Sequence, residues 1–175
     1  EPYKGYKGVF GTWGSYSVVR SVWVEHFETG MWFADYDWAV EGATQPDITN
    51  HMLVTNCRIR NNYADGVNFA EGSNNCTVEH TNIRNSGDDG FAVWSSDAFG
   101  HGTPGSNNTL QFSTVENVWR AGGVAFHGAD GHGVNHVLIR DGRGCAGIRF
   151  TDTFPGFKFL QNNQSVMSNI TIINH

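Results

Sequence analysis

The sequence predicts an all-β protein, a right-handed parallel β-helix, and three observations carry that expectation. Glycine is abundant, at 22 of 175 residues, while Leu and Lys are scarce; this disfavours a helical bundle and suits short strands between tight turns. A phrase made of an apolar residue, Arg or Glu, and then Asn, Asp or His recurs at Val24-Glu25-His26, Ile59-Arg60-Asn61, Ile83-Arg84-Asn85, Val115-Glu116-Asn117 and Ile139-Arg140-Asp141. A weaker copy, Ile172-Ile173-Asn174, closes the chain. Each full copy is followed by a glycine and then alternating apolar residues.

The copies lie 35, 24, 32, 24 and 33 residues apart. The interval of 24 defines a basic coil, and the longer ones read as a coil plus a loop, giving about six coils of a solenoid. A leucine-rich repeat has a similar period but needs a regular Leu spacing that is missing here. The glycine phrases are Gly30-Met31-Trp32-Phe33, Gly66-Val67-Asn68-Phe69, Gly90-Phe91-Ala92-Val93, Gly123-Val124-Ala125-Phe126 and Gly147-Ile148-Arg149-Phe150. Strand side chains alternate faces, so Met31/Phe33, Val67/Phe69, Phe91/Val93, Val124/Phe126 and Ile148/Phe150 stack inside. Trp32, Asn68, Ala92, Ala125 and Arg149 then form an outward ladder, with Trp94, His127 and Thr151 one step further along. A third strand per coil is expected at Met52-Leu53-Val54, Cys76-Thr77-Val78, Asn135-His136-Val137 and Met167–Ile170. The extra residues of the long intervals, 35–47, 97–105 and 152–164, emerge from one edge of the sheet, where a solenoid builds the walls of a cleft.

Composition narrows the function. The length suits one domain, residues 1–175, with a core of its own. A net charge of −6 argues against nucleic acid or an anionic membrane surface, since phosphate binding needs clustered Lys and Arg. No apolar run approaches the roughly 20 residues of a membrane span. Cys57, Cys76 and Cys145 are too few and scattered for a disulfide framework or a zinc site, and buried free thiols are expected. The chain begins Glu-Pro-Tyr, without an initiator Met or a signal peptide, as a processed or truncated product would. Neither end offers a capping helix, and six coils are few for a solitary enzyme, so the chain is expected to be part of a longer catalytic domain.

The chemistry concentrates in two phrases. Asn85-Ser86-Gly87-Asp88-Asp89-Gly90 places two carboxylates between glycines, and Asn61-Asn62-Tyr63-Ala64-Asp65-Gly66 is the same phrase with one. Aligning Gly66 with Gly90 sets Asp65 beside Asp89, about 4.8 Å away across parallel strands. Mutual repulsion raises the pKa of one carboxyl, and a water held between them is polarised. Asp88 would point inward in a regular strand, where a lone charge is costly; Gly87 and Gly90 permit a turn that projects both acids outward. An acid and a base on opposite sides of a sugar, about 6.5–9.5 Å apart, are what inverting glycoside hydrolysis needs. A plain polar turn or a calcium ligand set are the competing readings of such a string.

Residues 55–96, through Asp65-Gly66-Val67-Asn68-Phe69 and Arg84-Asn85-Ser86-Gly87-Asp88-Asp89-Gly90-Phe91-Ala92-Val93-Trp94-Ser95, resemble the catalytic core of glycoside hydrolase family 87. That family comprises secreted, inverting β-helix enzymes, the α-1,3-glucanases (mutanases) and mycodextranases. The resemblance implies a secreted, endo-acting hydrolase of an α-glucan, α-1,3-linked. By analogy with the three-Asp layout of polygalacturonases and family 49 dextranases, it implies Asp88 as general acid, with Asp65 and Asp89 holding the nucleophilic water. The chain is shorter than the family's catalytic domains.

Substrate contacts are assigned on physical grounds. Trp94 and Trp32 can stack on sugar faces or simply pack. His127 can bond a hydroxyl or tune Asp88, Arg149 can pair with Asp88 or Asp89, His101 can reach ligand from its loop, and Asn68 can orient a carboxylate. No cofactor is expected for catalysis. A structural calcium at Asp35, Asp37 and Glu41 is compatible with the sequence, although their spacing matches no specific ligand loop. The alternatives are a polygalacturonase- or dextranase-like hydrolase, a lyase or epimerase of uronates, and a non-catalytic glycan-binding β-helix. Uronate recognition wants several Lys or Arg along the floor, and only Arg149 and Arg120 qualify.

Overall fold

The computed structural model describes residues 6–11, 16–34, 48–94, 104–152 and 158–175. The expected loops at 35–47, 97–105 and 152–164 fall wholly or partly outside them, and with them His101, Asp35, Asp37 and Glu41. The described residues form fifteen strands and no helix: β1 (Lys7–Gly11), β2 (Val18–Arg20), β3 (Trp23–Glu25), β4 (Thr29–Phe33), β5 (Leu53–Thr55), β6 (Arg58–Arg60), β7 (Val67–Ala70), β8 (Thr77–Glu79), β9 (Asn82–Arg84), β10 (Phe91–Trp94), β11 (Thr109–Glu116), β12 (Val124–His127), β13 (Gly133–Arg140), β14 (Ile148–Phe150) and β15 (Val166–Ile173).

The all-β, parallel character is as expected, but the β-helix of three-stranded coils is not what forms. The strands make two parallel sheets, one of six in the order β1-β4-β7-β10-β12-β14 and one of nine built along β2-β5-β8-β11-β9-β6-β3, with β13 and β15 added beyond β11. The overturning feature is β11. Its first half pairs with β8 and its second half with β9, so the strands expected as separate first and third faces join in one sheet. β13 and β15 also run unbroken across both halves. Phe112, His136 and Asn169, at φ of 47°, 52° and 54°, bend these strands without ending them.

The six-stranded sheet has the register read from the glycine phrases. Met31, Val67, Phe91, Val124 and Ile148 are successive partners, as are Phe33, Phe69, Val93, Phe126 and Phe150. Phe33, Phe69, Phe91 and Phe126 are fully buried in a single core shared with Val24, Ile59, Ile83, Val115 and Ile139 of the other sheet. Burying each such side chain contributes about 1.5–3 kcal/mol. The opening glycines are there for room: a Cβ on Gly66 would lie 2.4 Å from Ile83 and 2.5 Å from the Gly90 carbonyl, and Gly30 and Gly90 meet Ile59 and Val115 in the same way.

The recurring Asn/Asp/His has an equally local cause. His26, Asn61, Asn85, Asn117, Asp141 and Asn174 all have φ between 51° and 65°, the left-handed region that Asn and Asp tolerate best among non-glycine residues. These corners turn the chain from one sheet towards the other. Their side chains also bond along the stack, Asn85 Nδ2 donating to Asn61 Oδ1 at 2.8 Å. Cys57, Cys76 and Cys145 are all free; the first two are buried and Cys145 is exposed.

Candidate active site

The loop between β9 and β10 lies against the loop between β6 and β7. Gly87 N–H donates to the Asn62 and Ala64 carbonyls at 3.0 and 3.1 Å, and Asp88 N–H donates to the Ala64 carbonyl at 3.2 Å. Neither Gly87 nor Gly90 has a positive φ, so the expectation that they supply a special turn is corrected. Gly87 is required for space, because a Cβ there would sit 1.9 Å from the Tyr63 carbonyl oxygen.

This stitching brings Asp65, Asp88 and Asp89 together, with one carboxylate oxygen from each within 4.8 Å of the others. Asp65 Oδ1 accepts the Asp89 N–H at 3.0 Å and Oδ2 accepts Asn68 Nδ2 at 2.7 Å. Asp89 Oδ1 accepts the Gly122 N–H at 2.8 Å, and its Oδ2 lies 3.3 Å from His127 Nε2. Both residues are buried, whereas the Asp88 side chain is 44% exposed and ion-paired with Arg120 Nη2 at 3.3 Å. The cluster therefore has two recessed carboxylates and one that reaches outward. Donors converge on all three: Asn68 and the Asp89 amide on Asp65, the Gly122 amide on Asp89, and Arg120 on Asp88.

The electrostatics follow from that packing. The Asp65 carboxyl is pushed up from its ordinary 3.8 to about 8, first by burial and then by the charge of Asp89, with Asp88 adding to it. Asn68 and the Asp89 amide pull the other way and are outweighed. Burial alone would lower the guanidinium pKa of Arg149, but the Cys145 thiol at 3.6 Å and the charges of Asp89 and Asp88 raise it.

The other expected residues are placed unevenly. Asn68 bonds Asp65 directly. His127 stands beside Trp94 in the register, as expected, but its carboxylate partner is Asp89 rather than Asp88. Arg149 makes no ion pair with either Asp among the described residues; Arg120 holds Asp88 instead. Trp32 and Trp94 are half-buried and meet edge-to-face, with centroids 5.9 Å apart. The outward ladder is not an open floor, because Asn68, Ala92, Ala125 and His127 are all buried. His101 lies outside the described residues.

The sequence reading missed Tyr63, Trp119 and Gly122. Tyr63 and Trp119 are exposed by 64% and 48%, pack edge-to-face at 6.3 Å, and flank Arg120, whose guanidinium lies 5.2 and 5.6 Å from their ring centroids. A signal was present for Tyr63 and Trp119, each two residues past a corner Asn and hence at the same place in the repeats on either side of the one that carries Gly87 there. For Gly122, whose backbone N–H does the work, no side-chain signal exists.

Two parallel β-sheets thus bring three hydrogen-bonded carboxylates together in the loops that precede neighbouring strands β7 and β10. The chain belongs to the alpha-1,3-glucanase catalytic domain D2 family, whose model matches residues 9–174. The resemblance to glycoside hydrolase family 87 thus extends well beyond the two phrases that first showed it. The crystal structure of the Agl-KA catalytic domain is 50% identical, with a TM-score of 0.88 over 97% of this chain and 28% of its own. The catalytic unit of a thermostable GH87 alpha-1,3-glucanase from Streptomyces thermodiastaticus strain HF3-3 is 24% identical, with a TM-score of 0.72 over 95% of this chain and 28% of its own. A GH87 alpha-1,3-glucanase catalytic domain in complex with nigerose is 25% identical, with a TM-score of 0.70 over 89% of this chain and 25% of its own.

The chain therefore spans about a quarter of the length of the solved domains it matches. The last of these carries an Asp→Ala replacement, as do two related complexes. The three replaced positions run 23 and then 1 residues apart, the spacing of Asp65, Asp88 and Asp89 here (88 − 65 = 23, 89 − 88 = 1). No curated protein matches the chain.

Proposed function

We propose that this chain carries the catalytic centre of a secreted, endo-acting glycoside hydrolase that cleaves α-1,3-glucan. The observation that carries the reading is the convergence of Asp65, Asp88 and Asp89 within 4.8 Å, at the spacing of the three Asp→Ala positions in GH87 alpha-1,3-glucanase complexes with nigerose or tetrasaccharides. Family membership supports the substrate class.

The roles follow from access. Asp88 projects furthest and acts as general acid, giving its proton to the glycosidic oxygen as the C–O bond breaks and the bonding pair passes to that oxygen. Asp65 and Asp89, recessed and bridged by the Asp89 N–H, hold the water that attacks the anomeric carbon. The proton that water loses goes to their shared site. Asn68, Gly122 and His127 keep that pair oriented, and Trp32 and Trp94 line the sugar's approach. Attack by water from the opposite face inverts the anomeric configuration.

One observation favours a second reading. The oxygens lie closer than the about 6.5–9.5 Å of a two-carboxylate inverting site and nearer the about 5–5.5 Å of a double displacement. Inversion is preferred because both candidate nucleophiles are buried and already hydrogen-bonded. Reducing-sugar release from α-1,3-glucan by the intact protein and its Asp88→Asn variant tests the acid, with a loss on the order of 10²–10⁴-fold expected. An undiminished variant removes the assignment, and first-formed product with the retained α anomer replaces inversion by double displacement.

A further inference from the structure

We propose that Arg120 is a positioning residue for Asp88: pinned between Tyr63 and Trp119, it fixes the carboxyl and stabilises the negative charge that Asp88 acquires on giving up its proton. The inference rests on the reading of Asp88 as general acid and assigns a part to a side chain outside the carboxylate triplet.

The geometry is specific. Arg120 Nη2 lies 3.3 Å from Asp88 Oδ2. The same guanidinium lies 5.2 Å from the Tyr63 ring centroid and 5.6 Å from that of Trp119, within the range of cation–π attraction. The two rings come from different loops and are themselves held. The Trp119 backbone N–H donates to the Ser86 carbonyl at 3.1 Å, and a Cβ at Gly87 would meet both Trp119 Cζ2, at 2.5 Å, and the Tyr63 carbonyl. The loop bearing Asp88 is thus clamped by the two residues that hold Arg120, so the cation and the acid share one frame.

A half-exposed ion pair contributes little to folding, so stability does not account for this arrangement. Its value lies in the reaction coordinate. When Asp88 protonates the leaving oxygen it becomes a carboxylate beside the Asp65/Asp89 pair, and the negative charge of that pair opposes the transfer. A fixed guanidinium offsets that repulsion as the charge develops, which is stabilisation of the transition state rather than of bound substrate. Arg149 makes no ion pair with Asp88 among the described residues and acts on the cluster through its charge alone.

The test uses Arg120→Gln and Asp88→Asn in the intact protein, on two substrates: an α-1,3-glucan oligosaccharide, and a glycosyl fluoride whose leaving group needs little proton assistance. Arg120→Gln is expected to lower kcat on the oligosaccharide by about 10–100-fold with KM little changed, to lower it less than about threefold on the fluoride, and to regain oligosaccharide activity with added guanidinium. Equal losses on both substrates, or none on the oligosaccharide, overturn the proposal. Asp88→Asn separates the two failures. If it abolishes oligosaccharide cleavage while Arg120→Gln does not impair it, only the role of Arg120 falls; if Asp88→Asn is itself active, the acid assignment falls with it.

Discussion

Asp65 and Asp130 are two aspartates with nearly the same burial, 8% and 3% exposed, and with opposite electrostatics. Asp130 accepts Ser106 Oγ at 2.8 Å, the N–H groups of Asn162 and Asn163 at 2.9 Å each, and Asn163 Nδ2 at 3.4 Å. Burial would raise its pKa, but these donors hold it below the ordinary 3.8. Asp65 has two donors and two carboxylate neighbours, and its pKa goes up to about 8. Burial pushes both carboxyls up; at Asp130 the donors outweigh it, and at Asp65 they are outweighed by burial together with the charges of Asp89 and Asp88. Asp130 stitches segments together as a well-solvated anion would, while Asp65 sits in a crowded acidic cluster that raises its affinity for a proton, the environment expected of acid/base chemistry.

The comparison is sharpened most by removing each carboxylate. Asp65→Asn should cut α-1,3-glucan hydrolysis on the order of 10²–10⁴-fold and yet leave the fold more stable under alkaline conditions. The sign follows from linkage. A group whose pKa is raised in the folded state stabilises it below the unfolded value near 3.8, and that contribution is lost as pH rises towards about 8. Thermal unfolding from pH 4 to 9 should therefore show the variant gaining on the wild type by several degrees across that window. A variant less stable than wild type at pH 8 would break the contrast.

Asp130→Ala is the converse. It leaves buried N–H donors unpaired and should cost about 3 kcal/mol in chemical unfolding, with activity per folded molecule unchanged. Its pH signature is reversed. A lowered carboxyl pKa contributes stability above the unfolded value, which is lost as pH falls through the folded one, so Asp130→Asn should flatten the loss of stability below pH 3.8. Loss of activity without loss of stability would make Asp130 part of the site and end the distinction.

How far the sequence discloses these two environments differs. Met31 to Ile148 and Phe33 to Phe150 stack in the register read, because period-2 alternation behind a spaced glycine fixes it, but the last pair is less enclosed than expected, Phe150 being exposed. Asp65, Asp88 and Asp89 were legible because repeat alignment places them in the loops just before adjacent strands β7 and β10. The joining of the nine-stranded sheet was not, since Phe112, His136 and Asn169 bend a strand without interrupting it and no residue type announces that. Arg120 was noticed as a charge but not as the partner of Asp88, because the loop path that brings it there depends on Gly87 packing against Tyr63. Asp130 drew no attention at all, its donors coming from Ser106, Asn162 and Asn163, 24 to 33 residues away.

Both environments rest on the same corner device, which gives the smallest effect and the finest check. Asn85 and Asn61 bond side by side next to the triplet, at φ of 57° and 55°; Asn107 and Asn75 do so near Asp130, at φ of 58° and 55°. A Cβ-bearing residue without an amide is strained there, by about 1 kcal/mol, and glycine is not. Asn85→Ala and Asn107→Ala should each lower stability by about 1 kcal/mol, Asn85→Gly and Asn107→Gly by less, and none should alter the pH dependence of unfolding. If Asn85→Ala changed that pH dependence while Asn107→Ala did not, the corner beside the acids would be tuning their charge as well as turning the chain.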